Sequence, residues 1–171
     1  MRIIPYCTVS GNTVHQFSYG QDESYPACVS LKLALTAKIA ELCHQGITDF
    51  FTNCEHGVPM WAAEAIVAMR NTEGMPKARV HIVMPYEEQA LTWSDNVRER
   101  FYNLHAEADS VEILNSRYND DCYWDTDRFM ADHSVMILFD EVEPDCGNEE
   151  LLDYAKSKGK KIAVVESLVT L

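Results

Sequence analysis

Six residues in one short stretch have the side-chain types that hold or transform an anionic ligand: Asn53, Cys54, His56, Gly57, Trp61 and Glu64. They fall within Phe51-Thr52-Asn53-Cys54-Glu55-His56-Gly57-Val58-Pro59-Met60-Trp61-Ala62-Ala63-Glu64. This run reads as the end of a strand, a tight loop with a glycine, and the first turn of a helix. At such a junction backbone N–H groups approach a phosphate, and the helix N-terminus adds a partial positive charge. Pro59 suits the first helical turn, where a missing N–H is no loss. Met60 to Met69 is apolar on nearly every face, which predicts a helix covered on more than one side. The structural alternatives are equally concrete. Gly57 could supply only a positive-φ turn, and Trp61 could be core. Glu64 could cap the helix, pair with a lysine or point into a cleft.

The elements that would position these residues alternate between strand and helix. A first strand over Ile3–Ser10 ends at Gly11, and Asn12–Tyr25 reads as a long polar loop over the sheet edge. A helix over Pro26–Gln45 follows, with Cys28, Leu31, Leu35, Ile39 and Leu42 at helical spacing and Gly46 as its stop. Strands are predicted at Ile47–Asn53, Arg79–Met84, Ser110–Leu114, Val135–Phe139 and Lys161–Val165. Further helices are predicted up to Met69, from Ser94 to Ala108, around Asp125–His133 and over Asn148–Lys158. This alternation predicts an α/β fold: a doubly wound, mainly parallel Rossmann-like sheet with helices on both faces, in a single domain over residues 1–171.

In such a sheet, ligands bind beyond the carboxyl ends of the strands. That rule adds Ser10 and Gly11 after the first strand, and Pro85-Tyr86 and Glu88-Gln89 after the third. After the most apolar strand it adds Asp140 and the Gly147-Asn148 pair that opens the last helix, a second helix N-terminus for an anion.

The 171 residues carry 14 Lys plus Arg against 27 Asp plus Glu, a formal net charge of −13. That balance repels nucleic-acid phosphates and anionic lipid, so neither is an expected partner. No window approaches the ~20 apolar residues of a membrane span, and the expectation is a soluble, cytoplasmic protein. The six cysteines form no Cys-x-x-Cys pair and read as reduced thiols. Cys54-x-His56 offers two metal ligands with no second pair nearby, so no metal and no cofactor are expected. Gly-x-Gly-x-x-Gly, Walker A and Gly-x-Ser-x-Gly are all absent.

Three segments carry a family resemblance. Gly57-Val58-Pro59-Met60-Trp61-Ala62-Ala63-Glu64 resembles the Gly-Val-x-x-Trp-Ala-Ala-Glu segment of the YpsA-like proteins, a stand-alone bacterial branch of the SLOG superfamily that includes DprA and the LOG proteins. Pro85-Tyr86-Glu87-Glu88-Gln89-Ala90-Leu91-Thr92-Trp93 resembles that branch's Pro-Phe-x-x-Gln-x-x-x-Trp. Phe129 to Ser134 resembles its Phe-x-x-Asp-x-Ser-Asp, with Val135 where the branch has the last Asp. The resemblance implies a Rossmann-like fold and a nucleotide-type ligand. By that likeness Ser10, Gly11, Gly57, Trp61, Glu64, Pro85, Gln89 and Trp93 line or support the pocket. The branch has Ser-Gly where this chain has Asn53-Cys54, and a side chain there would limit how closely a pyrophosphate approaches. The LOG hydrolases use an arginine and a Pro-Gly-Gly-x-Gly-Thr-x-Glu-Glu loop. Here only Gly147 and the Glu149-Glu150 pair echo that loop, Thr126 falls at the arginine position, and Arg128 is two residues away.

The expected function is binding of a nucleotide or an ADP-ribose-like derivative, with its phosphate at the loop between the second strand and its helix. The alternative is hydrolysis of a nucleotide N-glycosidic or nucleotide-sugar bond, with Glu64, Glu149 or Glu150 as acid/base. A DprA-like DNA-processing role stands third, against the net charge. A homo-oligomer is left open.

Overall fold

The alternation of apolar strands and amphipathic helices closes into one six-stranded sheet in the structure, a computed structural model that describes residues 4–166. In chain order the elements are β1 (Tyr6–Ser10), α1 (Pro26–His44), β2 (Asp49–Thr52), α2 (Val58–Arg70), β3 (Arg79–Met84) and α3 (Asp95–Glu107). They continue with β4 (Ser110–Ile113), α4 (Cys122–Asp132), β5 (Met136–Phe139), α5 (Glu149–Ser157) and β6 (Lys161–Val164). The strand order is β4-β3-β2-β1-β5-β6, and every pairing is parallel. The doubly wound Rossmann-like fold expected from the sequence is therefore the one observed.

The order dictates where a ligand can go. The chain steps outward from β1 to β4, and α4 then carries it back to begin β5 on the other side of β1. Right-handed crossovers place α1–α3 on one face and α4–α5 on the other, as the α1–α2, α2–α3 and α4–α5 contacts require. The direction of winding reverses between β1 and β5, and this opens a crevice at their carboxyl ends.

Side-chain alternation along β5 explains its continuous apolar run. Leu138 joins the core beneath α1–α3, with Cys7, Val9, Phe50 and Ile82. Ile137 and Phe139 face the other way, against Ala131, Leu151, Leu152 and Ala155.

Three expectations need adjustment. Ile3 of the expected first strand lies outside the described residues. Helix α4 starts at Cys122, three residues before the expected Asp125, because Cys122 and Thr126 are both fully buried and extend its inner face. The Asn12–Tyr25 loop follows a central strand, so it crosses the carboxyl ends of the strands and not the lateral edge. Val14 is buried beneath it, and Phe17 stacks on Trp61 at 5.8 Å.

At the opposite, amino end, the Asp49 side chain is 1% exposed and accepts two hydrogen bonds from Arg79 and one from His81, all 2.8 Å. Burial alone would raise its pKa, but the Arg79 and His81 hydrogen bonds outweigh burial and lower it. A lowered carboxyl stabilises the fold above its unfolded pKa, and that contribution disappears as pH falls through the folded value. Arg79→Ala should destabilise the protein by about 2 kcal/mol at pH 7, leaving a buried carboxylate with only His81 and Thr48 as partners. In urea unfolding the gap should be smaller at strongly acid pH than at pH 7, as Asp49 takes up a proton. An equal gap at both pH values would contradict this assignment.

Candidate functional site

Two cavities lie side by side over the carboxyl ends of the central strands. One, of about 350 Å³, opens at the β1/β5 reversal between Ser10, Gly11, Asn53, Asp127, Asn148 and Glu150. The other, of about 360 Å³, lies toward β3 between Val14, Gln21, His56, Trp93 and Val97. Thr13, Glu55 and Tyr123 belong to both walls, so the two make one elongated groove.

The loop from Asn12 to Val14 shapes this groove by pairing with the entry to α2. Val58 donates to Asn12 O and Val14 donates to His56 O, both at 3.0 Å, an antiparallel bridge of Thr13 with Gly57. Gly57 has φ 143°, and a Cβ there would stand 2.5 Å from Thr13 Cα and 2.6 Å from Asn12 O. Glycine is required at 57 because the chain's own backbone crosses it.

This crossing bears on the expectation that the β2–α2 junction cradles a phosphate. Cys54 N–H donates to Thr52 Oγ1 and Glu55 N–H to Asn53 Oδ1. Val58, Met60 and Trp61 donate to Asn12 O, Glu55 O and Gly57 O, and Pro59 has no N–H. Among the described residues only the N–H groups of His56 and Gly57 in this junction lack a protein acceptor. The helix start is capped from within the chain.

Helix α5 differs. Asn148 stands at its N-cap position and lines the first cavity, and the first helical bond runs from Leu152 N to Asn148 O. Among the described residues the N–H groups of Asn148, Glu149, Glu150 and Leu151 donate to no protein group. Asn148 is 6% exposed. Its Nδ2 donates to Asp140 Oδ1 at 3.0 Å and Glu141 O at 2.9 Å, while its Oδ1 takes no hydrogen bond from a described residue. Asp140 also accepts from Asn12 N–H at 3.3 Å, which ties the β1 loop to the α5 entry. Gly147, at φ 92°, adds a turn that favours glycine just before the helix.

The remaining expected residues take distinct places. Ser10 and Gly11 line the β1/β5 cavity, where a Cβ on Gly11 would meet Asp140 Oδ1 at 2.6 Å. Cys54 has φ 60°, the conformation that a glycine favours, and its thiol is fully buried. Its side chain points into the core and leaves the groove clear, and burial raises its pKa. Trp61 is 2% exposed beneath Phe17 and Lys32, a core residue. Trp93 does line the second cavity, edge-on to Phe101. Pro85 and Gln89 are buried supports: Pro85 O accepts from Asn115, and Gln89 Nε2 donates to Asn53 O at 2.9 Å. Glu149 Oε2 accepts from Gly147 N–H at 3.1 Å, and Glu150 lines the first cavity.

Glu64 lines neither cavity. Its carboxylate receives a two-bond fork from Arg100, at 2.7 and 2.9 Å, and the same guanidinium forks onto Glu23 at 2.6 and 2.9 Å. Glu23 also binds Lys32 and, at 2.8 Å, His56. Burial would raise the Glu23 pKa, but hydrogen bonds from His56, Arg100 and Lys32 reverse this and hold it well below the carboxylate range. The cluster fastens the Asn12–Tyr25 loop to α1, α2 and α3. Arg128 is exposed, paired with Asp125 and set against Trp124, and among the described residues no arginine or lysine lines either cavity.

The carboxyls that do face the β1/β5 cavity include two the sequence pattern did not single out. Glu55 and Asp127 join Glu150 there. Burial pushes Asp127 up to about 8, with Glu55 and Glu150 adding to the rise. Burial also raises Glu55, against one hydrogen bond from Asn53. No linear motif joins these three residues, and the β1/β5 reversal alone brings them together. Among the described residues no group of three or more His, Cys, Asp or Glu is placed to hold a metal ion. None of the described helices is long and apolar enough to cross a membrane.

Comparison with known proteins agrees with this architecture. The profile of the YpsA family, described as "YspA SLOG family", matches residues 7–168. UPF0398 proteins are similar along much of the chain. That of Shouchella clausii is 28% identical over 116 residues, 68% of this chain and 61% of its own length. That of Ligilactobacillus salivarius is 29% identical over 114 residues, 64% and 61% of the two chains. The matched part of this chain thus spans about 61% of these relatives. Among solved structures, DNA processing protein A (DprA) from Streptococcus pneumoniae superposes with a TM-score of 0.61 at 13% identity, over 97% of this chain and 52% of that one. DprA from Helicobacter pylori, whose structure concerns single-stranded DNA binding, gives 0.60 at 14%, over 95% and 65%. At these identities the likeness to DprA is one of fold. The chain belongs to the YpsA family of SLOG proteins.

Gly57→Ala tests the backbone crossing. The added methyl overlaps Thr13 and Asn12, so the variant should lose about 2–4 kcal/mol in denaturant unfolding. Hydrogen exchange at Val14 and Val58 should accelerate. Unchanged stability and exchange would contradict the crossing.

Proposed function

We propose that this protein binds a nucleotide or nucleotide-derivative of the ADP-ribose type in the groove over the carboxyl ends of β5, β1, β2 and β3. The observation that carries this reading is the free first turn of α5 at the β1/β5 reversal, with Asn148 and Ser10 beside it. A helix start whose N–H groups have no protein acceptor suits phosphate oxygens. The phosphate therefore belongs at α5, and not at the β2–α2 loop that the sequence suggested. The groove continues past Tyr123 to Trp93 and Val97, where apolar and aromatic walls suit a base. Its elongated form matches a ligand with two unlike ends better than it does an isolated phosphate.

The hydrolytic alternative draws on one specific observation. A half-buried acid with a raised pKa, Asp127, shares a cavity with Glu55 and Glu150, and such pairs serve acid/base catalysis. If there is turnover, these three residues would be its carboxyl groups, and Glu64, engaged by Arg100, would not. A nucleic-acid partner receives no comparable support, because the groove offers no cationic track for a phosphate backbone.

Calorimetric titration with ADP-ribose, AMP and NAD tests the reading, and chromatography of the mixtures reports any released base or ribose phosphate. Wild type should bind at least one of these ligands saturably and without turnover. Tyr123→Ala, which opens the wall shared by both cavities, should weaken binding at least tenfold while leaving the fold intact by circular dichroism. Binding unaffected by Tyr123→Ala would place the ligand elsewhere, and release of base would favour the hydrolytic reading.

A further inference from the structure

The β1/β5 cavity poses an electrostatic problem for any phosphate. Glu55, Asp127 and Glu150 all line it, and no lysine or arginine does. Asp140 and Glu141 sit just behind, at the α5 entry. A ligand carrying negative charge at α5 would meet this field, which one helix start cannot balance.

Most of these carboxyls have partners. Glu55 Oε1 accepts from Asn53 Nδ2 at 2.9 Å. Asp140 accepts from Asn148 and Asn12, and Glu141 from Asn12 at 2.8 Å. Glu149 accepts from Gly147. Glu150, which is exposed, has none, and neither has the less exposed Asp127. It sits on the inner side of α4, between Tyr123 and the α5 entry, and no described residue donates a hydrogen bond to it. A second polar group points to a ligand in the same cavity: Asn148, 6% exposed, whose Oδ1 has no protein donor.

Resting on the nucleotide reading above, we propose that Asp127 is a ligand-binding residue that acts as a neutral carboxylic acid, donating its O–H to an oxygen of the phosphate held at the α5 N-terminus. Protonation removes one negative charge from the cavity and supplies a donor where no lysine or arginine is present. Burial, together with the facing Glu55 and Glu150, pushes the Asp127 carboxyl up to about 8, so at neutral pH it holds its proton. The other groups around it are Tyr123 on the same helix, Glu55 on the β2–α2 loop, Glu149 and Glu150 on α5, and Asp140 and Glu141 behind them. The β1 loop contributes Thr13 and Gln16, which do not titrate. Below about pH 8 the acid is ready-made. Above it, each binding event must take up one proton from solution, so affinity should fall by about tenfold per pH unit.

ADP-ribose is a suitable probe, because its pyrophosphate charge is constant over the range used. Its affinity should be steady between about pH 7 and 7.5 and should fall steeply between about pH 8.5 and 9.5. Calorimetry in buffers of different ionisation enthalpy should show close to one proton taken up at the upper end. Asp127→Asn, which keeps an N–H donor and cannot ionise, should bind at every pH nearly as wild type does at pH 7. An infrared difference spectrum of ligand-free wild type minus Asp127→Asn at pH 7 should contain a protonated-carboxyl band.

A flat pH profile would overturn this inference alone, as would the absence of that infrared band. Affinity that rises with pH would also overturn it, and would make Asp127 a carboxylate acceptor for a ligand hydroxyl. Failure of both wild type and Asp127→Asn to bind at any pH would overturn the nucleotide reading, and this inference with it.

Discussion

The rest of the site depends on the crossing of two backbone segments at Gly57. Asn12–Val14 lies so close over the start of α2 that no side chain fits between them. That contact supplies the carbonyl that caps Val58 and so closes the α2 N-terminus to ligands. It also turns the loop after β1 across the strand ends, where Thr13 becomes the ridge between two cavities. Of the helices that begin at this edge of the sheet, α2 is closed by the crossing, whereas the first-turn N–H groups of α5 donate to no described protein group. On the proposed reading, this asymmetry directs an anion to α5.

Charge is divided in the same way. The cations nearest the groove are spent on scaffold: Arg100 forks onto both Glu23 and Glu64, and Lys32 and His56 complete the cluster. These contacts fix the loop that forms the groove wall, and they place Glu64 outside the chemistry its position in the motif suggested. The β1/β5 cavity is left with carboxyls, amides and hydroxyls. A pocket of this composition can accept a phosphate only if part of its acidity is neutralised by protons. On the proposed reading, the groove selects its ligand through protonation state as well as shape.

The fold was legible because its signals are local. The six residues of β3 stand where the strand was expected, and Gly46 stops α1 where expected. The parallel order followed from the strand–helix alternation, and family membership from the Gly57–Glu64 and Pro85–Trp93 segments. The site was legible only in outline. Ser10, Gly11, Gly147 and Asn148 follow from the rule that ligands sit beyond strand ends, since strand order decides that edge. The role of Gly57 was not legible, because a glycine required by a passing backbone leaves the same sequence signal as one required by a ligand. Cys54 looked like an obstruction, but its positive φ turns the thiol into the core. Asp127 was missed because it sits in a helix among Asp125, Arg128 and Asp132, an ordinary solvated pattern. Only the crossover of α4 onto β1 brings it to the cavity.

The central claim is that an anion is held at the start of α5 and not at the start of α2. Amide ¹H–¹⁵N spectra recorded while ADP-ribose is added test it most directly, because both helix starts report in one experiment. The account predicts the largest shifts at Gly147–Leu151, with Ser10 and Gly11 following and Val58–Trp61 nearly still. Largest shifts at His56–Trp61, with Asn148–Leu151 unmoved, would contradict it.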